Sequence, residues 1–448
     1  MSYFEFLDIL QKKYGTSNTE LLRALEKSGH PISKSNLTHK LKGQRRLTSE
    51  ELEVIIQTIC PTGTEESKLR SLYRIWQFGE DKYFFVQTIR DYLTQLSDRI
   101  TVNFPPPGEP LSEIGSIRTE RLLYQVLYAV MQSAWGRQPI RIRCTAHFQR
   151  MIDALMTLSK ESAPVRHLIC LNNESGEKQQ IYNTHCLFTA AGPAWQNREY
   201  AVRFYYDNAE SCTGFYTVYP FFIVTDTYLL LIAHDFRSGL LLHDEAARRS
   251  YEAKFDRIYD AAEPLWKRSE GWTECFRECA EQEKLCTDQF YYLQNGFGLL
   301  LAMDTHLLEK YLRPELPFRR ELIEMQAKRL SERRSGLHGC LLYVSDTMQG
   351  LTERGEIPPE LGNLLLPIEE ADRQRAAARL KDAYCVNRIL QRDVLPIPEN
   401  VSVHCYDNGT VILKRRGNEP VSLSICERKL YISVKNFFEY LIQYAAEP

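Results

Sequence analysis

The sequence has no apolar run long enough to cross a bilayer. Its most apolar stretch, Tyr219 to Ala233, is broken by Thr225-Asp226-Thr227 and falls short of the roughly 20 residues a spanning helix needs. Its twelve cysteines contain no Cys-x-x-Cys pair, which argues against a secreted disulfide framework and against a structural zinc site. A Gly-x-x-x-x-Gly-Lys-Ser/Thr phosphate loop, a Gly-x-Ser-x-Gly elbow and a His-Glu-x-x-His helix are all missing. The formal net charge of only -2 excludes a surface coated in nucleic acid. The first ten residues carry Glu5 and Asp8 where a secretory signal would be basic. These absences lead us to expect a cytoplasmic protein with no membrane contact, no cofactor and no metal.

One local imbalance is present. Residues 27 to 46 hold six Lys or Arg and no Asp or Glu, the local positive field expected where a segment lies against phosphates. Around it the punctuation predicts short helices. Phe4, Leu7, Leu10 and Tyr14 make one apolar stripe before Gly15. Ser17-Asn18-Thr19-Glu20 and Thr48-Ser49-Glu50-Glu51 are capping boxes, and Ser33 is placed to cap a third helix ending at Gly43. The outward side of that third helix (Lys34, Ser35, Asn36, Thr38, His39, Lys40 and Lys42) is entirely polar, and Gln44, Arg45 and Arg46 extend it into the next loop. Side chains of these types on a groove-sized helix can reach base edges or phosphates.

The stretch Ser33 to Arg45, followed by Leu47-Thr48-Ser49-Glu50-Glu51-Leu52, resembles the lambda-repressor/xenobiotic-response-element helix-turn-helix family of bacterial regulators. The resemblance covers residues 1 to about 60. It implies that the third helix enters the major groove of double-stranded DNA. It assigns base reading to Lys34, Ser35, Asn36, His39 and Lys40, and phosphate contacts to Thr38, Lys42, Gln44, Arg45 and Arg46. It also implies a homodimer bound at two half-sites. The expectation is then a sequence-specific transcriptional regulator and not an enzyme, its C-terminal region answering to a small-molecule or protein effector. The rival expectation is an enzyme or protein-interaction protein that uses the N-terminal bundle for docking.

The expected fold is multidomain, an all-α helix-turn-helix domain followed by a mixed α/β (α+β) region. Its divisions are a DNA-binding domain over 1–62, a helical extension over 63–104, an α/β effector domain over 111–270, a mostly helical region over 271–395, and a small strand-plus-helix cap over 396–448. Pro105-Pro106-Pro107-Gly108 is the expected hinge. Phe221–Val224 and Tyr228–Ala233 predict one hairpin, and Val401–Tyr406 with Thr410–Arg415 around Asp407-Asn408-Gly409 predict another. Cys275, Cys279 and Cys286 share a helix face and read first as core thiols. His234-Asp235 and Asp304-x-His306 place imidazole near carboxylate without a nucleophile nearby, so they read as surface or capping neighbours.

Overall fold

The computed structural model describes residues 1–45, 47–95, 102–144, 148–159, 161–173, 177–207, 218–294, 298–332, 338–344, 350–358, 361–383, 386–390 and 400–445. The chain divides into two compact units, residues 1–88 with 439–448, and residues 89–438. The expected proline hinge lies inside the second unit. There the Pro106 carbonyl accepts from Gln125 Nε2 at 3.2 Å, so this stretch is anchored by its neighbour.

Six helices open the chain: α1 (Tyr3–Tyr14), α2 (Asn18–Lys27), α3 (Lys34–Leu41), α4 (Ser49–Ile59), α5 (Gly63–Phe78) and α6 (Glu80–Gln95). Side-chain caps set their starts. Ser2 with Glu5, Ser17 with Glu20 and Thr48 with Glu51 each form a reciprocal capping box, satisfying donors that the first turn leaves open. Leu10, Leu21, Leu25, Leu37, Leu47, Leu52 and Ile55 meet in one cluster, each burial contributing about 1.5–3 kcal/mol. Gly43 has φ +73°, and a Cβ there would lie 2.4 Å from the Phe4 ring. Glycine is required at that turn for conformation and for space.

The second unit holds two α/β halves. The first runs β1 (Ser116–Ile117), α7 (Glu120–Ala134), β2 (Ile140–Arg143), α8 (Gln149–Leu158), β3 (Val165–Asn172), α9 (Glu177–Gln196), β4 (Tyr200–Asp207), β5 (Phe221–Val224), β6 (Leu229–Ile232), β7 (Gly239–Leu242), α10 (Glu245–Ala261) and β8 (Glu263–Pro264). The second runs β9 (Lys267–Glu270), α11 (Gly271–Leu285), β10 (Gln289–Gln294), α12 (Leu299–Ala302), α13 (Thr305–Tyr311), α14 (Arg319–Glu332), β11 (His338–Val344), α15 (Glu370–Ala383), β12 (Val386–Leu390), β13 (Val401–Tyr406), β14 (Val411–Arg415), β15 (Val421–Ile425) and α16 (Arg428–Ala445).

Each half builds one mixed sheet, ordered β1-β7-β6-β5-β2-β3-β4-β8 and β12-β11-β10-β13-β14-β15-β9. Read from β9, the seven strands of the second repeat the order of the first sheet from β1 to β4, and β8 is left without a counterpart among the described residues. In both, three parallel strands (β2-β3-β4 and β10-β11-β12) adjoin an antiparallel run. The topology is an internal duplication. The α+β multidomain class expected from sequence is what the fold shows. The expected division at 396 differs from it: β10–β12, from the region read as mostly helical, and β13–β15, from the region read as a cap, share one sheet. Among the described residues no helix is long and apolar enough to cross a membrane.

Candidate functional site

Directly opposed residues in antiparallel strands point to the same face, so the registers define which side chains lie together. On the first sheet Ile142 stands opposite Ile223, Ile223 opposite Leu230 and Leu230 opposite Leu241. This row is wholly apolar and buried. Its counterpart on the second sheet runs Tyr292, His404, Ile412, Ser424. One step along the strands lies a second polar row of Gln294, Ser402, Lys414 and Ser422. The other face of this sheet is packed by α16, where Phe438 stacks on Tyr291 at 5.2 Å. β13 therefore alternates apolar and polar residues, as a half-solvated strand does, although all six of its residues are buried.

Helices α11 and α14 complete the polar face. Cys279 Sγ lies 3.6 Å from His404 Nδ1. Tyr406 Oη is 3.4 Å from the same nitrogen and 3.1 Å from Tyr292 Oη. Tyr292 donates to Glu283, which also accepts from Arg329 Nε at 2.8 Å and Nη2 at 2.9 Å. Gln326 accepts from Arg329 Nη1 and donates to the Met303 carbonyl at 2.7 Å. Outside the Glu283–Arg329 pair a cavity of about 280 Å³ opens between α11 and α14, lined in part by Lys284, Lys328 and Glu332. A hydrogen-bonded path thus runs from that cavity through Glu283, Tyr292 and Tyr406 to His404.

Burial, reinforced by the charges of Lys414, Arg416 and Arg329, holds the His404 imidazole well below its ordinary pKa. Burial pushes the Cys279 thiol up to about 11. Both groups are neutral near pH 7, so the pair is not a thiolate–imidazolium couple. A neutral imidazole instead keeps a lone pair free to accept a proton or attack an electrophile. Among the described residues, the buried polar atoms on this face without a hydrogen-bond partner include Gln294 Nε2, Ser402 Oγ, His404 Nε2 and Ser424 Oγ. His167, the buried histidine of the first half, contrasts with it. There Nδ1 meets Tyr200 Oη at 2.6 Å and Nε2 meets the Cys144 carbonyl at 3.0 Å.

None of these second-half residues belongs to the site expected from sequence. Among the residues that do, Ser33 caps α3, accepting from the Asn36 amide at 3.2 Å. Lys34, Ser35 and Lys42 are exposed, as are Gln44 and Arg45. Thr38 Oγ1 bonds back to the Lys34 carbonyl, His39 to Gln44, and Arg45 Nη1 to Asn36 Oδ1 at 3.1 Å. Lys40 is 2.5 Å from Glu51, with side-chain exposures of 11% and 6%. Arg46 lies outside the described residues. Elsewhere, His234 is exposed and Asp304 caps α13, accepting from the Leu307 amide at 2.8 Å. Cys275, Cys279 and Cys286 are buried, and among the described residues no cluster of His, Cys, Asp and Glu could hold a metal ion.

No protein-family model matches the chain, and no curated protein does. Solved structures do. A polyphosphate kinase from Porphyromonas gingivalis matches at 11% identity and TM-score 0.23, over 74% of this chain and 49% of that one. A phosphatidylserine synthase from Haemophilus influenzae Rd KW20 matches at 10% identity and TM-score 0.24, over 80% of this chain and 91% of that one. The chain spans about half the length of the polyphosphate kinase. Both proteins are enzymes and neither is a DNA-binding regulator. The expectation of a transcriptional regulator is corrected on this finding.

Proposed function

We propose that this chain is an enzyme whose reactive group is the imidazole of His404, acting on a polar small molecule at the α11 face of the second sheet. In this reading the N-terminal helices serve as a docking device. The observation that carries it is the contrast between two halves of one topology. The first half fills its row with Ile142, Ile223 and Leu230, while the second places Tyr292 and His404 there and leaves His404 Nε2 unpartnered. A buried polar atom without a partner costs about 1–3 kcal/mol. The first half shows that the architecture does not need that cost, and stability is commonly given up where a residue serves a reaction.

The test replaces His404 with the residue at the matching position of the first half. His404→Ile is expected to leave unfolding free energy unchanged or raise it by about 1 kcal/mol in urea titrations. It is expected to lower turnover at least 100-fold, the contribution of a positioned base, in a panel of ester, phosphoester and amide substrates. A loss of several kcal/mol on that substitution would show that His404 serves packing, and the reading would fall.

A further inference from the structure

We infer that the row Gln294–Ser402–Lys414 is an oxyanion site, holding the phosphate or carboxylate group of the ligand beside His404; this rests on, and deepens, the enzymatic reading above. The row is continuous by register. Gln294 faces Ser402 across the β10–β13 ladder, and Ser402 faces Lys414 across the β13–β14 ladder. Opposed side chains start about 5 Å apart, so an amide NH₂, a hydroxyl and an ammonium converge on one small group. All three can donate to an acceptor-only ligand.

Two independent observations show that this row lacks an occupant of that kind within the chain. Gln294 Nε2 and Ser402 Oγ are unpartnered, on residues 5% and 1% exposed. Lys414 forms no ion pair among the described residues and rests instead 5.9 Å from the centroid of the Trp272 ring. The carboxylates that α11 brings to this face are already engaged, Glu278 by Lys267 at 2.7 Å and Glu283 by Arg329. A water molecule could satisfy the amide, the hydroxyl and the ammonium singly, but a bound oxyanion can accept from all three and also balance the half-buried positive charge. His404 is two residues from Ser402 on the same strand, about 7 Å along it. A group held on the row is therefore presented to the unpartnered imidazole nitrogen.

The experiment uses the full chain at fixed ionic strength, titrated with inorganic phosphate, acetate or chloride and followed by calorimetry and thermal unfolding. Phosphate or acetate is expected to bind and to raise the midpoint by about 2–4 °C, with chloride giving no shift. The stronger of the two identifies the oxyanion class. Lys414→Met and Ser402→Ala are each expected to weaken that binding at least tenfold, while Lys284→Met, in the cavity between α11 and α14, leaves it unchanged. Binding by neither anion, or binding that survives both row substitutions, overturns the proposal. His404→Ile separates this inference from the enzymatic reading. If that variant unfolds easily but the wild-type protein binds the anion through Lys414, the anion site stands and the catalytic role falls.

Discussion

At Glu283 two buried side chains hold one carboxylate. Arg329 supplies two nitrogens and Tyr292 a hydroxyl, and the ion pair is only 4–5% exposed. Removing one member leaves the other charged and largely shielded from water. Arg329→Met is therefore expected to cost about 3–5 kcal/mol, read as a fall in the urea midpoint. The double variant Glu283→Leu/Arg329→Met should recover most of that loss, because a buried pair replaced by apolar groups of similar size is often neutral. A single variant within 1 kcal/mol of wild type would show that Glu283 is not isolated from solvent. Tyr292→Phe removes one hydroxyl from the same chain of contacts and is expected to cost about 1–2 kcal/mol.

Among the elements, the turn between β13 and β14 does more than reverse the strand. Asp407 accepts from the amides of Asp288 at 2.5 Å and Gln289 at 3.1 Å, and from the Thr287 hydroxyl at 2.9 Å. It thereby fastens the hairpin to the start of β10. Asp407→Ala should cost about 2–4 kcal/mol, since hydrogen bonds to a charged group contribute about 1.5–3 kcal/mol each and are not additive. A loss below 1 kcal/mol would mean that water replaces the carboxylate there. This turn was legible in the sequence because Gly409 follows Asp407-Asn408, and its φ of +92° is one that glycine adopts readily. The capping boxes of α2 and α4 were legible for a similar reason, as each depends on residues three apart. The candidate site was not legible. Ser402, His404 and Tyr406 alternate with Val401, Val403 and Cys405, a pattern that reads as one wet face and one dry face. Only the coverage of both faces by α11 and α16, far apart in sequence, makes those polar residues unusual.

Across the molecule, the duplication escaped the sequence because it resides in strand order. Ile142 and Ile223 in one half correspond to Tyr292 and His404 in the other, so no residue identity marks the repeat at these positions. The two halves do share a response to acid. Burial lowers the His167 pKa to about 4 and holds that of His404 well below its ordinary value. The unfolded chain takes up protons at these positions below about pH 6.5, and the folded chain does so only at lower pH. Above pH 6.5 both states are neutral and neither histidine changes stability. From pH 6.5 toward 4 the unfolded state is favoured, and His167 alone removes about 3 kcal/mol. Urea titrations of His167→Gln over that range should show a slope shallower by about one proton. An unchanged slope would mean that His167 protonates in the folded protein as readily as in the unfolded one.

β8 and β9 form almost one passage of chain, with only Leu265 and Trp266 between them. β8 pairs with β4, at one end of the first sheet, and β9 with β15, at one end of the second. That passage uses up hydrogen-bonding groups at both borders, which would otherwise be templates for a foreign strand. The crossing that joins the two sheets thus supplies the border strand of each, and a break in the backbone there would bare β4 and β15 in one event.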